Sequence, residues 1–97
     1  MSYNKIMDTK ELEKIFKIFA SKRRLDIINL LRRKEAISLN EIAREIKLSL
    51  KSTSKHLRIL YSVDIVEREY KNLEIYYKLA DAQNAFLKKV INLTGYR

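Results

Sequence analysis

The side chains best equipped for chemistry lie in one short segment, LSLKSTSKHLRIL, at residues 48–60. Lys51, Lys55, His56 and Arg58 alternate there with Ser49, Ser52, Thr53 and Ser54, and no Asp or Glu interrupts them. A helix that buries Leu57 turns Lys51, Ser52, Lys55 and Arg58 away from the core and leaves His56 at the flank. The outer face is then made of hydrogen-bond donors and small hydroxyls. Such a face suits a surface of acceptors. Lys and Arg reach phosphate oxygens or the O6/N7 edge of guanine, and short hydroxyls let the helix come close. A carboxylate in the same place would meet phosphates with repulsion. A solvated cationic face without a partner is the bland alternative, and neighbouring helices, which mix both signs, argue against it.

Catalysis finds little to use. His56 is the only His, and there is no Cys. One imidazole makes neither a catalytic triad nor a tetrahedral metal site. The chain has no Gly-rich phosphate loop, and Asp26, Glu41 and Glu45 read as ordinary helix-surface charges. The expectation is a non-enzyme with no catalytic residues, no cofactor and no metal.

Composition narrows the partner. Twenty-one cations against 12 anions give a net charge of +9 over 97 residues. That balance favours a polyanion, either nucleic acid or an acidic membrane surface, over a merely solubilising Lys-rich surface. No apolar run approaches the roughly 20 residues that span a bilayer, and no signal-peptide core opens the chain. A soluble, cytoplasmic protein with no membrane partner is expected. Without Cys there is no disulfide or redox switch. With no Pro and a single Gly, Gly95, turns fall to Asn, Asp and Lys.

These residues need a scaffold, and one domain over 1–97 can supply it. Asp8 and Glu11 form a capping box before Leu12, Ile15, Phe16 and Phe19, which recur at helical spacing over residues 9–20. Ser21 caps a second helix to about Lys34, with Leu25, Ile27, Ile28 and Leu31 inward. Ser38 and Glu41 open a short third helix over about 40–46. Ser49 caps a fourth through about Tyr61, with Leu50, Thr53, Leu57 and Leu60 on one face. Two short helices joined by a tight turn, together 40–61, make a helix-turn-helix. After Asp64, expected in a left-handed turn, IVEREY and EIYYKL alternate at period two, a β-hairpin over 65–79 with Lys71, Asn72 and Leu73 between its strands. Asp81 caps a last helix, 81–94, with Phe86, Leu87, Val90 and Ile91 as its apolar positions. The fold class is mainly α with a β-hairpin wing, a winged helix-turn-helix in the order α-α-α-α-β-β-α.

The stretch LSLKSTSKHLRILYSVDIV followed by REYKNLEIYYKL resembles the ArsR/SmtB-type winged-helix repressors. That family carries Leu-Ser-x-x-Ser/Thr-x-Ser-x-His-Leu on its recognition helix and Tyr-Tyr-x-Leu at the end of its wing. FASKRRLDII is similar to the family's entry to the second helix, with Arg24-Leu25 at its Arg-Leu. The likeness covers about residues 12–93. It implies a homodimeric, DNA-binding transcriptional regulator paired through its first and last helices. It also implies that Ser52, Ser54, Lys55 and His56 stand at recognition positions, with Lys71 and Asn72 at the wing tip. Two departures stand out. The wing lacks its usual Gly, and Ser38 and Asn40 replace the Cys-x-Cys metal motif, so metal sensing is not expected.

Other candidates are weighed in the same way. Arg68 and Lys71 could straddle a DNA backbone or minor groove from the wing, or be simply solvated. Tyr76 and Tyr77 alternate in the hairpin, one toward the core and one toward solvent, and packing explains both. The outer helices, 8–20 and 81–94 with their caps, carry Leu12, Ile15, Phe16, Phe19, Phe86, Leu87, Val90 and Ile91, more apolar surface than one small subunit needs. A homodimer through these helices is expected, with recognition helices roughly 34 Å apart on a palindromic site. The rival readings are a winged-helix module binding RNA or an acidic protein, and a MarR/PadR-like regulator.

Overall fold

Every helix of the described core begins at a side chain that takes up an orphan backbone N–H. Asp8 accepts from Glu11 N at 2.8 Å while the Glu11 carboxylate accepts from Asp8 N at 3.2 Å. Ser21, Ser38 and Ser49 accept in turn from the backbone of Arg24, Glu41 and Ser52. These caps start α1 (Thr9–Phe19), α2 (Lys22–Arg33), α3 (Leu39–Ile46) and α4 (Leu50–Ser62). The structure, a computed structural model, describes residues 7–81 and 88–90.

The stops are as definite as the starts. Lys47 (φ 58°) and Asp64 (φ 61°) take the left-handed conformation usually given to Gly. At each, the next residue's N–H reaches back five positions, Leu48 to Ala43 and Ile65 to Leu60, both at 3.0 Å. The first of these Schellman-type closures makes the turn between α3 and α4, and the second redirects the chain from α4 into the wing.

The wing is a three-stranded antiparallel sheet in the order β1-β3-β2, from Ile37–Ser38, Val66–Lys71 and Glu74–Leu79. Val66 pairs with Leu79 and Lys71 with Glu74, so only Asn72 and Leu73 form the turn. Both have positive φ, 53° and 66°, as a type I′ hairpin turn requires. The turn is therefore one residue shorter than Lys71-Asn72-Leu73. The third strand, β1, pairs Ile37 with Tyr77 and Ser38 with Tyr76, and sequence periodicity did not announce it.

Ile27, Ile28, Ile42, Leu57, Leu60 and Ile65 are wholly buried, joined by Val66 and Tyr77. Tyr77 thus faces the core and Tyr76 is only half-buried. Three expectations need correction. Leu50 belongs to the first turn of α4, beyond the core, and is 50% exposed. Leu30, not counted among the inward residues of α2, is buried. Ile15 and Phe19, assigned to a partner, lie in the protomer's own core beside Ile18. Of the last helix, residues 88–90 are helical and Val90 packs half-buried on the core. Phe86, Leu87 and Ile91 fall outside the described residues. Among the described residues, no helix is long and apolar enough to cross a membrane.

Candidate nucleic-acid interface

On α4 the inward stripe is Thr53, Leu57 and Leu60. It holds the helix against the core and sets which residues face out. Lys51, Lys55 and Arg58 are exposed, while Ser52, Ser54 and His56 are half-buried. Arg58 donates to Ser54 Oγ at 3.0 Å, which lays the guanidinium along the helix surface. Among the described residues, none of the three cations joins an ion pair. Elsewhere Lys22 meets Asp26 at 2.9 Å, and Lys34 lies between Glu41 and Glu45 at 3.4 and 3.7 Å. The outer face of α4 therefore keeps its positive charge unneutralised. That is the electrostatic condition for attracting phosphates.

His56 does not sit at a free flank. Its Nδ1 lies 3.1 Å from Arg24 Nη1 on α2. Partial burial lowers the imidazole pKa, and the neighbouring charges of Arg24, Lys55 and Arg23 push it in the same direction. Both effects favour the neutral imidazole over the charged one.

The first turn of α2 explains how this is built. It contains Lys22, Arg23 and Arg24 and no acid, the reverse of what the helix dipole favours. The two arginines instead serve the carbonyl ends of neighbouring helices. Arg23 Nη1 donates to Ile46 O at the end of α3 at 2.8 Å. Arg24 Nε donates to Ile18 O in the last turn of α1 at 2.7 Å. Cations at a helix start, where they are electrostatically misplaced, were the available signal for both roles. The expectations used Arg24 only as part of a resemblance and did not use Arg23.

In the wing, the Arg68 guanidinium stacks over the Tyr61 ring and Lys71 Nζ lies 5.4 Å from the Tyr76 centroid. Asn72 and Leu73 form the tip, with Leu73 fully exposed. Glu67, Glu69 and Glu74 balance Arg68, Lys71 and Lys78 over residues 66–79, so the wing carries no net charge. Of the two elements, α4 is the one with a net positive charge, since residues 50–62 hold Lys51, Lys55 and Arg58 and no acid.

On α1, Leu12 is half-buried and Phe16 is 51% exposed, and both line a shallow apolar groove with Thr9 and Ala20. Among the described residues, no group of three or more His, Cys, Asp or Glu side chains converges to hold a metal ion.

Comparison with known proteins places this geometry in a family. The sequence model of the helix-turn-helix domain family matches residues 19–69. No curated protein sequence matches the chain. Among solved structures, reduced HlyU from Vibrio cholerae is similar at 25% identity, covering 88% of this chain and 85% of that one, with a TM-score of 0.74. The transcriptional repressor PagR of Bacillus anthracis has 28% identity, covering 89% and 98%, with a TM-score of 0.68. A homodimeric winged helix-turn-helix DNA-binding domain from Mycobacterium bovis, a possible ArsR-family transcriptional regulator, has 26% identity, covering 88% and 72%, with a TM-score of 0.70. Over half its length matched by the family model, and sharing the winged framework of these regulators, the chain belongs to the helix-turn-helix domain family as an ArsR-type winged-helix member without cysteines.

Proposed function

We propose that this protein is a sequence-specific, double-stranded DNA-binding transcriptional regulator, a repressor that acts as a homodimer on a palindromic operator without metal sensing. The observation that carries the reading is the outer face of α4, which bears Lys51, Lys55 and Arg58 with no acid and no ion pair among the described residues. Lys51, Ser52, Ser54, Lys55, His56 and Arg58 enter the major groove in this reading. Arg68, Lys71 and Asn72 reach the adjacent backbone or minor groove from the wing. Leu12 and Phe16 on α1, with Val90 and its neighbours on the last helix, meet the second subunit. The homodimeric relative from Mycobacterium bovis and the repressor PagR support dimerisation and repression by similarity. A chain with no Cys and one His, on the proposed DNA face, offers neither a thiolate nor a multi-imidazole ligand set for a sensed metal.

The test is selection of bound fragments from genomic DNA, followed by titration of the selected duplex, a random duplex and a single-stranded RNA over a range of salt. A groove-reading dimer recovers inverted repeats and prefers the selected duplex. Its log affinity falls with log salt by about 0.9 per phosphate neutralised. Equal or tighter binding to the RNA would favour an RNA-binding module instead.

A further inference from the structure

A neutral imidazole offers one donor and one acceptor, and which nitrogen is which decides what it can recognise. At position 56 the choice is made by a neighbour. A guanidinium has only donors, so the 3.1 Å contact between Arg24 Nη1 and His56 Nδ1 leaves Nδ1 as the acceptor. The ring proton then belongs to Nε2. Arg24 cannot easily swing away, because Nε donates to Ile18 O at 2.7 Å and Nη2 to Lys17 O at 3.4 Å. Both acceptors lie in the last turn of α1, where carbonyls have no helical partner. The guanidinium thus joins α1, α2 and α4 at one point.

We propose that Arg24 is a positioning residue that sets the hydrogen-bond polarity of the recognition helix, holding His56 as the Nε2–H tautomer so that position 56 reads an acceptor on a base edge. This rests on the DNA-binding reading above. The acceptors displayed in the major groove are guanine O6 and N7, adenine N7 and thymine O4. The exocyclic amines of cytosine and adenine are donors and would face an N–H at this position. Protonating the ring would set its Nδ1–H against the Arg24 N–H, so the neutral form and this tautomer are selected together. The lowered pKa agrees with that arrangement. Because the α1 carbonyls hold Arg24, a shift of α1 against α2 would also be felt at His56.

His56 is the only imidazole in the chain, so its nitrogen signals need no assignment. Long-range proton–nitrogen correlation spectra of uniformly labelled protein, across a pH titration, report the tautomer directly. The expected wild-type result is protonated Nε2 with unprotonated Nδ1. Arg24→Gln should give mixed tautomers and a raised imidazole pKa. Arg24→Lys, which keeps the charge but not the fork, should recover the tautomer only in part. The second arm uses the operator obtained by selection, with each major-groove acceptor altered in turn: 7-deazaguanine and 6-thioguanine at each guanine, 7-deazaadenine at each adenine and 4-thiothymine at each thymine. At one position the wild type should lose about tenfold in affinity, and His56→Ala should be indifferent to that replacement. An Nδ1–H imidazole in the wild type, or a His56-dependent loss that follows removal of a base amine, would overturn the proposal. An Nε2–H imidazole in a chain that binds no duplex would overturn the DNA reading instead.

Discussion

The guanidinium carbon of Arg68 lies 3.8 Å from the centre of the Tyr61 ring, joining β2 to the last turn of α4. Both residues follow from local rules, Tyr61 near the C-terminus of a helix and Arg68 on an outward position of β2, yet only the fold sets one over the other. Tyr61 is 40% exposed, so the contact belongs to the weaker, solvent-screened kind of cation–π pair. A double-mutant cycle with Tyr61→Ala and Arg68→Ala should give a coupling of about 0.5–1 kcal/mol in denaturant unfolding. A coupling indistinguishable from zero would mean that the sheet register alone orients the wing.

Lys55 is exposed, free of ion pairs among the described residues, and off the buried stripe of α4. Lys55→Ala should therefore weaken operator binding by about 1–3 kcal/mol if the ammonium reads a base. Its unfolding free energy should stay within about 0.5 kcal/mol of wild type. Lys71→Ala should instead weaken binding to all duplexes by a similar factor and flatten the salt slope. Anisotropy titrations on the selected and a scrambled duplex separate the two outcomes, and wild-type affinity in Lys55→Ala would remove that residue from the site.

The folded-state pKa of His56 lies below the ordinary value of 6.5, through burial first and the Arg24, Lys55 and Arg23 charges next. The unfolded chain consequently binds more protons in this range than the folded one, and stability rises with pH. The contribution is complete above 6.5 and is lost as pH falls through 6.5 toward the depressed value. Between about pH 7.5 and pH 5.5 the wild type should lose more thermal stability than His56→Gln, which cannot titrate. Parallel losses in the two proteins would show that the imidazole plays no part.

Much of this architecture was legible because capping and periodicity are local. Asp8, Ser21, Ser38 and Ser49 mark helix starts by their own side chains, and Asp64 marks the exit into the wing. What escaped was non-local. Ile37 and Ser38 are too few to show a period, and they become a strand only because Tyr77 and Tyr76 lie opposite. Ile15 and Phe19 share the helical spacing of Leu12 and Phe16, and spacing cannot say which subunit covers which stripe. The acid-free face of α4 was visible in the sequence. Its link to α2 was not, because Arg24 and His56 are 32 positions apart.

Leu73 occupies a backbone region that suits Gly, at φ 66°, and its side chain is wholly exposed. It bears the steric cost of the left-handed region, roughly 1–2 kcal/mol for a residue with a Cβ, with no burial in return. Leu73→Gly would complete an Asn-Gly dipeptide at the two turn positions, the pair most favoured in a type I′ turn. Part of the gain is offset by the greater freedom of Gly in the unfolded chain. The net expectation is a stabilisation of about 0.5–1 kcal/mol, read as a higher denaturant midpoint at unchanged slope. A lower midpoint would show that the leucine side chain makes a stabilising contact of its own.

Two neighbours on α1 separate folding from assembly. Ile15 is 9% exposed within the core cluster, whereas Phe16, one residue on, is 51% exposed beside the half-buried Leu12. A carboxylate at position 15 has no partner and must be desolvated for the protomer to fold, so Ile15→Glu should unfold the chain outright. At position 16 the side chain is 51% exposed in the protomer, so the same carboxylate keeps much of its water there and is fully desolvated only if a second subunit covers it. Phe16→Glu should therefore keep the far-ultraviolet circular dichroism of the wild type and sediment as a monomer, while the wild type sediments as a dimer at about tens of micromolar. Operator affinity should fall steeply in that folded monomer, because two half-sites about 34 Å apart can no longer be held by one body. A wild-type protein that sediments as a monomer at those concentrations would refute dimerisation. A dimeric Phe16→Glu would instead place the subunit interface away from this face of α1.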